Sequence, residues 1–186
     1  MTAVEVRIPP DELQARVREL AADIASVYAD AAPVLVTVLK GGVTFLADLV
    51  RLLPLPLEVD LLDISPYREG GTAQIIKDLD RDVGGRHVLV VEDVVDTGLT
   101  LAYVLQVLAA RGPASLRVCT LLDRSVRRIA ELPLDWVGFE VGDEYLVGYG
   151  LDFEGRLRGL PGILAVLDPR AVESDPEGQA RAALSG

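Results

Sequence analysis

"VLVVEDVVDTGLTL", Val88–Leu101, sets four apolar β-formers directly before nine residues that hold three carboxylates, two threonines and a glycine. Val88–Val91 predicts a buried strand, with Glu92 and Asp93 at its carboxyl end, and "DTGLT" leads into a helix over Leu99 to Ala110. In an open parallel sheet, ligands bind outside the carboxyl ends of the strands, beside the N-termini of the helices that follow. There the loop's backbone N–H groups, the clearance at Gly98 and the hydroxyls of Thr97 and Thr100 make a cup for a phosphate at the positive end of the helix dipole. Neither G-x-x-x-x-G-K-[ST] nor G-x-G-x-x-G occurs, which removes the two commonest nucleotide loops. Paired acids would repel a bare anion but accept hydrogen bonds from vicinal hydroxyls. A phosphate cup beside them therefore suits a phosphorylated ribose. The plainer alternative makes Asp96 or Thr97 a helix cap and leaves Glu92 and Asp93 as solvated acids at a strand end; the spacing alone allows both.

Outward from this stretch, the chain alternates Val/Leu runs with helical periods. Leu13, Val17, Leu20, Ile24, Val27 and Tyr28 recur at steps of three and four, which predicts an amphipathic helix from Pro10 to about Ala31. "PVLVTVL", "LEVDLLDI", "AQIIKDL" and "SLRVCTLL" predict strands, and "WVGFEV", "YLVGYG" and "ILAVL" shorter ones, with a helix over Val43 to Leu53. Near-continuous apolar strands alternating with helices mean a parallel sheet covered on both faces, an α/β architecture. At 186 residues and 50% apolar, one domain over residues 1–168 is expected, and the polar residues 169–186 are expected to form a flexible tail.

Composition narrows the function. A net charge of −11 argues against a nucleic-acid surface, which needs a basic face to replace phosphate counterions. No apolar run approaches the roughly 20 residues that cross a bilayer, and the first residues lack the basic start and apolar middle of a signal peptide, so a cytoplasmic protein without membrane partners is expected. The single cysteine, Cys119, sits in an apolar run and reads as core.

The stretch resembles the phosphoribosyl-diphosphate signature of the type I phosphoribosyltransferases. Together with "VTVLKGG", "FLADLVR", "IIKDLD", "TLLDR", "DWVGFEV", "LVGYGLD" and "RLRGLP", the chain from about Val4 to Leu167 is similar to the hypoxanthine-guanine phosphoribosyltransferases. That resemblance implies a type I phosphoribosyltransferase fold, a mainly parallel sheet flanked by helices with a small hood for the base. It implies a magnesium-dependent transfer of 5-phosphoribosyl from phosphoribosyl diphosphate to N9 of a 6-oxopurine. Residue by residue, it puts the ribose and 5-phosphate on Glu92, Asp93, Asp96, Thr97, Gly98, Leu99 and Thr100, with Asp96 as the catalytic acid/base beside N7. It puts the diphosphate on Leu39, Lys40, Gly41 and Arg158, with a non-proline cis peptide after Leu39, and associates magnesium with Glu92, Asp93 and Asp152. The purine falls to Arg124, Tyr145, Leu146 and Asp152, and the lid to Pro66 and Tyr67. A homodimer or homotetramer is implied in the same way.

Two positions depart from the family pattern. Arg124 stands where most relatives have a lysine, and the lid sequence is shorter, with Pro66 before Tyr67. His87 and Trp136 match no catalytic position and read as structural. A different class is offered by "DISPYRE" and "LLDRSVRRIAELP", which faintly resemble the pyrimidine-operon regulator with uracil phosphoribosyltransferase activity, an RNA-binding protein that would need a basic face.

Overall fold

The computed structural model describes residues 3–65 and 74–184, so the two lid positions Pro66 and Tyr67 lie outside the described residues. In chain order the elements are β1 (Val4–Ile8), α1 (Pro10–Val27), β2 (Val34–Val38), α2 (Val43–Leu52), β3 (Glu58–Ile64), β4 (Ile75–Lys77), β5 (His87–Val95), α3 (Leu99–Ala109) and β6 (Ser115–Asp123). A 3-10 turn at Ser125–Arg127 follows, then β7 (Trp136–Glu140), β8 (Tyr145–Val147), β9 (Ile163–Val166), α4 (Pro169–Ser174) and α5 (Pro176–Leu184).

The main sheet has the order β4-β3-β2-β5-β6-β7 and is parallel except for the edge strand β4. Its centre is β5, where alternation decides which helices cover which face. Leu89 and Val91 join Leu13, Val17, Leu20, Ile24 and Phe45 under α1 and α2. Val88 and Val90 join Leu101, Val104 and Leu108 under α3. A strand buried on both faces must be apolar at every position, and this is why the run is unbroken until Glu92. Cys119 is buried in the first of these layers, and that burial pushes its thiol well up.

Strand order reverses between β2 and β5: from β2 the chain moves outward to β3, while β5 lies on its other side. The crevice at such a reversal is where the carboxyl-end loops diverge and leave room for a ligand. Here those loops are Leu39–Gly42 and Glu92–Gly98.

A second, antiparallel sheet of order β1-β9-β8 stands over this end and forms the hood. The expectation of a flexible tail at residues 169–186 is corrected over its described part, residues 169–184, which forms α4 and α5. Asp168 caps α4 by accepting from the N–H groups of Arg170 and Ala171 at 3.1 and 3.2 Å, and Val172 and Ala180, both fully buried, pack with Val4, Val147, Leu164 and Val166 on one face of the hood sheet. Two short helices with a few apolar residues have little stability alone and are held by that packing. Val172→Asp is therefore expected to cost about 3 kcal/mol in a denaturant unfolding curve, the scale for burying an unpaired charge. A change under about 0.5 kcal/mol would show that the tail is dispensable to the fold. No helix among the described residues is long and apolar enough to cross a membrane.

Candidate active site

The cleft at the strand reversal encloses about 320 Å³. Its walls include Leu39, Gly41, Glu92, Asp93, Asp96, Thr97, Gly98, Thr100, Asp152 and Arg158. Ten positions singled out in the sequence, from four separated segments, thus face one space.

Close backbone approach makes this convergence. The Leu39–Lys40 peptide bond is cis. At Gly41 a Cβ would lie 1.6 Å from Asp93 Oδ2, and at Gly150, where φ is +103°, a Cβ would lie 2.2 Å from the Gly41 carbonyl oxygen. Any side chain at either place would push the three loops apart. Gly150 carried no assignment in the sequence reading; a glycine beside Tyr149 in "VGYGLD" was its only signal.

The β5 end supplies the acids. Glu92 is 7% exposed, and burial first, then the neighbouring charge of Asp93, pushes its carboxyl well above the usual range. Burial likewise raises Asp93, partly offset by the Val94 N–H that donates to its Oδ1 at 2.8 Å. Two carboxyl groups held at a cost to their ionised forms suit a partner that brings positive charge or hydroxyl donors. Beyond them, Gly98 takes the left-handed conformation at φ +82° and starts α3 without a side-chain cap of its own; the Leu99 N–H reaches Thr97 Oγ1 at 3.5 Å, and Gly98 and Thr100 line the cleft. Anions are favoured at such an end.

The hood closes the other side. Arg158 pairs with Asp152 at 2.6 Å (Nη2 to Oδ1) and donates from Nη1 to the Gly150 carbonyl at 2.6 Å. Asp152 Oδ2 accepts from the Gly155 N–H at 2.7 Å. Tyr145, half-exposed on β8, donates its hydroxyl to the Asp152 carbonyl at 2.9 Å and meets Phe153 edge to face, with ring centroids 5.8 Å apart.

Not every assigned residue lines the cleft. Lys40 is exposed at the loop tip, Leu99 begins α3, and Leu146 is buried in the main core at 5% exposure. Arg124 sits behind Asp96: its Nη1 is 3.7 Å from Asp96 Oδ2, and its Nη2 donates to the Glu144 carbonyl at 2.9 Å.

Two arginines beside the site were not read from the sequence as site residues. Arg127 Nε lies 3.4 Å from Asp96 Oδ1. Arg128 donates from Nε to the Asp96 carbonyl at 3.2 Å and forms an ion pair with Asp123. The N–H groups of Ile129 and Ala130 donate to the Thr97 carbonyl at 2.9 and 3.1 Å. The segment from Arg124 to Ala130 thereby braces the cup from behind. Its visible signal was three arginines within five residues of an acidic chain.

Far from this end, His87 bonds Ser115 at 2.8 Å and packs edge to face with Tyr28, which also touches Trp136. These contacts give His87 and Trp136 structural roles.

Comparison with known proteins gives one answer throughout. Residues 10–154 match the phosphoribosyl transferase domain model. The chain is 44% identical to the hypoxanthine-guanine phosphoribosyltransferase of Mycobacterium avium over 178 residues, covering 90% of this chain and 87% of that protein. It is 46% identical to the hypoxanthine phosphoribosyltransferase of Haemophilus influenzae, covering 84% and 92%. A crystal structure of the hypoxanthine phosphoribosyltransferase of Staphylococcus aureus superposes with a TM-score of 0.86 at 36% identity, covering 90% of this chain and 92% of that one.

Proposed function

We propose, from the premise that this chain belongs to the phosphoribosyl transferase family and within it to the hypoxanthine-guanine phosphoribosyltransferases, that it salvages purines by making inosine and guanosine monophosphates from the free bases. N9 of the base bonds to C1 of phosphoribosyl diphosphate, the C1–O bond to diphosphate breaks with its electron pair on the leaving group, and the base gives up one proton. The observation that carries the reading is the meeting, at one strand reversal, of the Gly41 loop against Asp93 with the Asp96–Thr100 loop that opens α3.

In this reading the 5-phosphate sits on the backbone and hydroxyls of Thr97–Thr100, and the ribose hydroxyls donate to Glu92 and Asp93. Asp96 faces N7, where a carboxylate holds or takes the proton as positive charge builds on the base. Arg124 donates to the 6-oxo group, Tyr145 stacks on the ring, and the Leu146 backbone meets the 2-position. Lys40, Gly41 and Arg158 take the leaving diphosphate.

The donor set fits magnesium of one kind only. Among the described residues no three His, Cys, Asp or Glu side chains form a cage. Magnesium ordinarily keeps its waters and binds through one or two carboxylates plus substrate phosphates, so Glu92, Asp93 and Asp152 would each serve, one or two to an ion, to hold magnesium that arrives with the diphosphate. When bound it supplies charge neutralisation of the leaving group. The same reading makes the protein a cytoplasmic homodimer or homotetramer.

The test is incubation with phosphoribosyl diphosphate, magnesium and hypoxanthine, guanine, xanthine or uracil in turn, followed by chromatography for the monophosphate. Product from uracil alone would overturn the reading. Within it, Asp96→Asn is expected to lower kcat by about 10²-fold while KM for both substrates stays within a few-fold, since a positioned proton acceptor is lost and little else. An unaltered kcat in the folded variant would remove Asp96 from the chemistry.

A further inference from the structure

We propose that Arg127 is a positioning residue for the base: its charge on Asp96 Oδ1 keeps the Asp96 carboxylate from closing a bidentate pair with Arg124. The inference rests on the roles given to Asp96 and Arg124 above.

The geometry poses the problem directly. A carboxylate and a guanidinium, each a planar fork, lie 3.7 Å apart at Asp96 Oδ2 and Arg124 Nη1 without joining. Asp96 Oδ1 and Arg124 Nε are both buried and have no hydrogen-bond partner. Left to themselves, such groups form two parallel charge-assisted hydrogen bonds, the strongest arrangement open to either. Closing that pair would spend on each other the two groups that the proposed function assigns to N7 and the 6-oxo oxygen.

Something must hold them open, and the contacts on each side show what. Arg124 is tied by its own N–H to the Val95 carbonyl at 3.0 Å and by Nη2 to the Glu144 carbonyl, while the Glu144 side chain is itself paired with Arg7 of β1 at 3.2 Å. On the Asp96 side, Arg128 fixes only the backbone carbonyl. The carboxylate is restrained by Arg127 alone among the described contacts, from the oxygen opposite Arg124. Remove that charge, and rotation of the carboxylate toward Arg124 is unopposed.

The need is created by arginine at position 124. A lysine ammonium is a point charge with no fork and cannot form the bidentate pair. Arg127 should therefore matter greatly with arginine at 124 and little with lysine there, a coupling that a purely structural residue would not show.

The experiment is a double-mutant cycle of wild type, Arg127→Ala, Arg124→Lys and the double variant, with KM and kcat measured for hypoxanthine and for phosphoribosyl diphosphate. Arg127→Ala is expected to raise KM for hypoxanthine about 10-fold to 30-fold and leave KM for phosphoribosyl diphosphate within about twofold. In the Arg124→Lys background the same substitution is expected to cost less than about threefold. Arg127→Lys, which keeps a charge on Oδ1, should stay within about threefold of wild type, and Arg127→Gln replaces the alanine variant should that one not fold. Equal losses in both backgrounds, or no loss in Arg127→Ala, would overturn the proposal. An inactive wild type would instead remove the function on which it rests.

Discussion

An excess of chelator is expected to cut hypoxanthine phosphoribosyl transfer at least about 10³-fold, with both substrates saturating, and added magnesium to restore it. The charge around the cleft sets this expectation. Among the described residues, Glu92, Asp93, Asp96 and Asp152 line it against one cationic lining residue, Arg158. That guanidinium is already committed to Asp152 and the Gly150 carbonyl. Of the other cations in the assigned set, Lys40 is exposed and Arg124 has one arm on the Glu144 carbonyl. A leaving diphosphate carries several charges, and in a protein of net charge −11 these groups cannot match them.

The same geometry separates this effect from a structural metal. In the proposed reading the ion comes with the substrate, so chelator should leave the unfolding midpoint of the free protein where it was. It should abolish the rise in midpoint that phosphoribosyl diphosphate causes, because binding stabilises only what it binds. Full turnover in excess chelator would sink the assignment of Glu92, Asp93 and Asp152.

What could be read from residues alone followed the range of the signal. Val88–Val91 had to be a central strand because all four positions are apolar, and the cores on its two faces divide them as alternation requires. "KGG" marks a tight loop by its glycines; that Gly41 lies against Asp93, fifty-two residues on, is a fact of strand order and has no local mark. β1 went unread because five residues alternating Val4, Val6 and Ile8 with Glu5 and Arg7 become a strand only beside β9. α4 and α5 were missed for a related reason. Their apolar content is a few residues such as Val172 and Ala180, too little for a helical period, and the hood sheet they cover supplies the rest of that layer. Arg127 was hidden in a third way, since its partner is thirty-one positions earlier and no spacing rule connects them.

Adenine is expected to be a poorer substrate than hypoxanthine by about 10⁴-fold in kcat/KM, the discrimination a site reaches when its buried hydrogen bond cannot form with the wrong analogue. Arg124 is 11% exposed at its side chain, so bulk water cannot replace a missing partner there. It has one arm on the Glu144 carbonyl, while Nη1 and the orphaned Nε remain. A guanidinium is a donor and never an acceptor. Facing a 6-oxo group, the free arm gains a charge-assisted bond; facing the 6-amino group of adenine, donor meets donor and the buried N–H is left unpaired. Arg127, the other cation against Asp96, is also a donor only and offers adenine no escape. The preference should then reside in Arg124: Arg124→Ala is expected to lose most of the activity with hypoxanthine and to shrink the hypoxanthine-to-adenine ratio by at least about 10²-fold, while Arg124→Lys, still a donor, keeps the ratio high. Kinetics with both bases on the three proteins decide it. Efficient formation of adenosine monophosphate by the wild type, or an unchanged ratio in Arg124→Ala, would show that the 6-position is read by some other group.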